Sequence, residues 1–71
     1  MKSQFVITKQ TRTLTFKRHY RSYWFHEIYK GRKHIGCVQR IQGQTSFFLN
    51  RSIRLTTEEL LEIGLFIVSL G

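Results

Sequence analysis

Between residues 4 and 55 the chain alternates short runs of β-branched and aromatic residues with polar or glycine-bearing breaks, the signature of a strand meander. Strands are expected at roughly 4 to 9, 12 to 20, 22 to 30, 33 to 42 and 45 to 55, the first two readable as one bent strand. Lys30-Gly31-Arg32-Lys33 and Gln42-Gly43-Gln44 mark hairpin turns, since glycine accepts the positive φ that tight hairpin loops require. After residue 55 the period changes. Thr56-Thr57-Glu58-Glu59 reads as a capping box with Thr56 at the N-cap, flanked by Leu55 and Leu60 at the positions of a hydrophobic staple, so a helix from about 57 to 70 follows.

Alternation also assigns faces. Leu14 and Phe16 share the core side of their strand, opposite Thr13, Thr15, Lys17 and His19. In residues 33 to 42, Ile35, Cys37 and Ile41 share the inward parity, which leaves His34, Gly36, Val38 and Arg40 opposite. Further on, Phe47, Leu49, Ile53 and Leu55 point inward, and Phe48 and Arg54 outward. Residues 22 to 30 are apolar on both sides, with Trp24, His26 and Ile28 on one and Tyr23, Phe25 and Tyr29 on the other. The second set travels with Arg21 and Glu27, so it is assigned outward. On the helix, Glu58, Glu62 and Ser69 form one narrow polar stripe with Glu59 at its edge, and apolar residues fill more than half of the circumference. A helix lying on one sheet needs an apolar stripe of little more than about 100°. The surplus, and Gly64 in mid-helix, suggest a homodimer through Leu61, Gly64, Leu65 and Val68, the alternative being a monomer whose strands or loops cover that face.

Charge sharpens this picture. The chain has 71 residues and net charge +8. Twelve Lys and Arg against Glu27 leave residues 1 to 54 at +11, while Glu58, Glu59 and Glu62 leave residues 55 to 71 at −3. The first part is a cationic working surface, and the second a structural end. Cations neutralise phosphates and ring faces stack on unpaired bases, so the interleaving in Tyr20-Arg21-Ser22-Tyr23-Trp24-Phe25 points to single-stranded nucleic acid. A single domain over 1–71 is expected. Chains this short bury only about 60% of their unfolded surface, and the lone Cys37 excludes an intrachain disulfide, which again favours oligomerisation. A single cysteine, no signal-peptide core at the N-terminus and no apolar run of membrane-spanning length predict a cytoplasmic protein with no membrane partner.

The expected nucleic-acid surface comprises Lys17, Arg21, Tyr23, Phe25, Tyr29, Arg40 and Arg54, with Lys30, Arg32 and Lys33 at a hairpin tip that either grips phosphates or is a solvated turn. The same rings are also what a plain sheet or a protein interface would carry. Catalysis finds little support. Three of the four carboxylates stand at a helix start, His34 and Cys37 fall on opposite sides of a strand, and Cys37 reads as a small buried hydrophobe. No metal, cofactor or phosphate-cradling glycine loop is expected.

Ser52-Ile53-Arg54-Leu55-Thr56-Thr57-Glu58-Glu59-Leu60 resembles the strand-to-helix junction of the positive cofactor four type of transcriptional coactivator. That resemblance implies a four-stranded sheet closed by one C-terminal helix, a dimer through the helix, and single-stranded DNA on a basic, aromatic sheet. It makes Arg54 a backbone contact. The chain lacks the long acidic and glycine-rich hairpin that family members carry before the junction.

The reading is an α+β fold, an antiparallel meander of four or five strands followed by one helix packed on the sheet. Its function is to bind single-stranded DNA or RNA without enzymatic activity. Three alternatives stand beside it: a phage-like or plasmid-like inhibitor or adaptor that docks on an acidic protein partner, a duplex reader, and a small histidine-based ribonuclease.

Overall fold

A computed structural model describes residues 5 to 22 and 24 to 70. Five strands, β1 (Phe5–Gln10), β2 (Thr15–His19), β3 (Phe25–Lys30), β4 (Lys33–Ile41) and β5 (Gln44–Leu49), form one antiparallel sheet in the order of the chain. One helix, α1 (Thr57–Leu70), follows and covers a single face, an α+β architecture. Among the described residues no helix is long and apolar enough to cross a membrane.

Local chemistry accounts for the turns. Gly31 alone takes positive φ (64°) in the two-residue β3–β4 loop, whereas Gln42 (53°) and Gly43 (79°) both do in the β4–β5 loop, as a type I′ hairpin requires. The first two strands are separate, joined by a reverse turn in which the Thr11 amide donates to the Leu14 carbonyl at 2.8 Å. The last strand is shorter than the alternation suggested. It ends at Leu49, and residues 50 to 56 cross toward the helix, packing Ile53 and Leu55 against the core on the way.

The helix begins with the expected reciprocal cap: the Glu59 amide donates to Thr56 Oγ1 at 3.2 Å, and the Thr56 amide donates to Glu59 Oε1 at 2.9 Å. Leu55 packs on the core while Leu60 stays half exposed. Ile63 and Phe66 face the sheet among Leu14, Phe16, Ile28, Ile35 and Val38. The Phe66 ring stacks on Phe16 with centroids 4.0 Å apart and meets His26 edge-on at 4.9 Å. Burial, then the nearby Arg18 charge, lowers the His26 pKa and keeps the imidazole neutral in this apolar setting.

Within the polar stripe of the helix, Glu59 and Glu62 turn toward the strands and their turns, while Glu58 stays exposed. Glu62 is held by the Thr11 and Thr13 hydroxyls and the Thr13 amide, which clamps the β1–β2 turn to the middle of the helix. Burial raises its pKa, and these hydrogen bonds outweigh that effect, so its carboxyl stays below its ordinary value. Glu59 is buried against Lys30, whose Nζ lies 2.7 Å from Oε2. Hydrogen bonds from Lys30 and from the Thr56 amide lower its pKa. The third pair, Arg12 with Glu58 at 3.4 Å, is exposed and contributes little.

A bulge overturns the expected faces of β4. Ile28 pairs with Gly36 and Tyr29 with His34, so Ile35 is the extra residue and the parity reverses after it. From Gly36 onward the even positions face the helix: Val38 is buried, Cys37 is only half-buried on the opposite side, and Ile41 is exposed. Burial, then the Glu27 charge, raises the Cys37 pKa, so its thiol stays protonated. Trp24, expected inside, lies exposed in the turn before β3, which starts one residue later.

Candidate nucleic-acid interface

With the helix on one side, the other face of the sheet has no covering layer among the described residues. Register determines which residues lie across it. Ile7, Lys17, Glu27, Cys37 and Phe48 form a row spanning all five strands, flanked by Thr15, Tyr29 and His34 toward one end and by Phe25, Gln39 and Ser46 toward the other. Phe25 and Tyr29 are half-buried, and Phe48 is 52% exposed. Lys17 Nζ sits 4.5 Å from the Tyr29 ring centroid, a cation over a ring face. Glu27, the acid in this row, lies 3.0 Å from His34 Nε2. The His34 ring in turn meets Tyr29 edge-on at 5.2 Å.

The expected cations separate into distinct groups. Lys17 lies on the open face, as the alternation of β2 required. Arg21 is exposed in the β2–β3 turn, its guanidinium 5.3 Å from the Tyr20 ring. Tyr23 lies outside the described residues. Arg40 does not belong to the open face: the bulge places it on the helix side, where its Nη1 donates to the Leu70 carbonyl at 2.7 Å. The last turn of the helix carries no basic residue of its own, so this guanidinium satisfies a terminal carbonyl and complements the negative helix end.

Lys30, Arg32 and Lys33 gather with Arg54 at the end where the helix begins. Two links join the β3–β4 tip to the crossing segment: Lys30 reaches Glu59, and Asn50 Nδ2 donates to the His34 carbonyl at 2.8 Å. Arg51, which the sequence reading did not single out, is exposed in the same segment. Arg12 and Lys30 have carboxylate partners here. Arg32, Lys33, Arg51 and Arg54 have none among the described residues. Arg51 was legible only as one more cation, because its position depends on β5 ending two residues earlier.

On the outer side of the helix, Leu61 (62% exposed), Leu65 (70%) and Val68 (76%) line up with Gly64 at the i, i+3, i+4, i+7 spacing. A Cβ at Gly64 would meet no atom within 4 Å. Among the described residues no group of three or more His, Cys, Asp or Glu side chains comes together in a way that could hold a metal ion. Comparison with protein families, with curated proteins and with solved structures matched none of them.

Proposed function

We propose that this protein binds single-stranded DNA or RNA across the open sheet face, with bases against Phe25, Tyr29 and Phe48 and phosphates held by Lys17 and by the cations at the sheet ends. One observation carries the reading. The acids of the helix are engaged with the strands and their turns, through Arg12, Lys30, Thr11 and Thr13, while four cations at the helix-start end, Arg32, Lys33, Arg51 and Arg54, have no counter-charge among the described residues. Positive charge flanking an uncovered sheet that carries aromatic rings is the combination that sequence-tolerant single-strand binders use. The resemblance to the positive cofactor four type implies the same arrangement.

A fluorescence-polarisation titration with single-stranded and duplex oligonucleotides at several salt concentrations tests it. Each phosphate neutralised on a single strand adds about −0.7 to the slope of log K against log salt, so Arg32→Ala and Arg54→Ala should each flatten the slope by roughly that amount. Tyr29→Ala should cost about 1 to 3 kcal/mol with the slope nearly unchanged. Arg40→Ala should leave the slope alone. Absence of affinity at low salt would sink the proposal and favour an acidic protein partner, and preference for duplex would favour a groove reader.

The same reading makes the chain a homodimer through Leu61, Gly64, Leu65 and Val68. Glycine in mid-helix costs about 1 kcal/mol relative to alanine, and among the described residues no atom lies close enough to require it at position 64. Close approach of a second helix would. Gly64→Ala is therefore expected to raise the denaturation midpoint of the protomer while weakening association, read by sedimentation over a concentration series. An equally associated Gly64→Ala protein would remove the argument for close helix contact there.

A further inference from the structure

We propose that the free edge of β5 pairs antiparallel with the β5 edge of a second copy, joining two sheets into one. The sheet has two edges, and they differ in kind. Natural edge strands deter pairing with bulges and charges, lysine above all. Edge strand β1 has both, a register slip between Ile7 and Lys9 and Lys9 itself within the strand. Edge strand β5, Gln44-Thr45-Ser46-Phe47-Phe48-Leu49, has no charge, no proline and no glycine, and its pairing with β4 runs unbroken from Gly36 opposite Leu49 to Ile41 opposite Gln44. All of its residues except Phe47 are exposed.

The occupant follows from charge and symmetry. Copies of a chain with net charge +8 repel one another, which favours approach along a seam without cations, and the β5 edge is such a seam. Antiparallel pairing of a strand with its own copy is closed by a two-fold axis and needs no second kind of surface. With the axis at Phe47, that ring meets its counterpart on the helix side, Ser46 lies opposite Phe48 on the open side, and Thr45 lies opposite Leu49. Every pair then shares a face, as directly opposed residues in a sheet must. Phe47 already packs against the core, so the seam extends that core from one protomer to the next. The axis stands perpendicular to the sheet, which sets both helices on one side and both open faces on the other. The pairing does not depend on nucleic-acid binding.

Hydrogen exchange of the full chain over a protein concentration series is the test. Outward amides of Thr45 to Leu49 should exchange about fivefold more slowly once the total protein concentration is about ten times the dissociation constant, whereas β1 amides should not change. Ser46→Lys, which puts a charge into the seam, should abolish the concentration dependence. A Leu65→Lys protein, with the helix stripe disrupted, should keep it. β5 exchange that is independent of concentration in the wild type, or a dependence that survives Ser46→Lys, overturns the proposal. A helix contact alone would not protect these amides, so the wild-type measurement decides even where a variant fails to fold.

Discussion

Replacing Phe66 with alanine is expected to remove about 3 to 5 kcal/mol of stability, the usual cost of deleting a buried ring. Small domains have only about 0.05 to 0.15 kcal/mol per residue in total, so for this chain the loss is a large part of the whole. Phe66 and Ile63 are the buried apolar residues of the helix, and the Phe66 ring lies on both Phe16 and His26. Without it the Phe16 ring loses its stacking partner and His26 an apolar cover. Urea denaturation followed by far-ultraviolet circular dichroism should show a much lower midpoint, or a chain unfolded in buffer, and Phe66→Leu should recover a good part of the difference. An unfolding free energy within about 1 kcal/mol of wild type would mean that the helix is held by its polar clamps at Glu59 and Glu62 and not by ring packing.

Gly36→Ala is expected to be nearly as severe, at about 3 kcal/mol, the upper end of ordinary overpacking costs. Gly36 follows the bulge at Ile35 directly, and a methyl group there would overlap the Phe48 carbonyl oxygen of β5 and crowd Phe48 C and Leu49 Cα, both at 3.2 Å. Those are backbone atoms and cannot swing aside as a side-chain tip would. The sheet must therefore open between β4 and β5, and the variant should lose protection of β5 amides before those of β2 and β3. Wild-type stability in Gly36→Ala would mean that β5 lies farther from the bulge.

What the sequence determined by itself is local. The capping box of Thr56 and Glu59 involves groups three residues apart, so adjacent side chains suffice to start the helix, and Gly31 and Gly43 mark turns because their φ values are set within the loop. Alternation correctly placed Phe16 and Ile28 inward and Lys17, Phe25 and Tyr29 outward, since both strands keep an unbroken period over those residues. Only the tertiary structure decided the rest. A bulge inserts one residue and reverses every later face, and its position at Ile35 depends on how β3 and β5 pack beside β4. Arg40 thereby moved to the helix end, and Cys37 to the open face. Likewise the acids of the helix formed a polar stripe without partners when counted around a wheel, because a wheel omits the β1–β2 turn and Lys30 that fold back to meet them. Which cations remain without counter-charge was settled by those long-range pairings, and so was the location of the basic end.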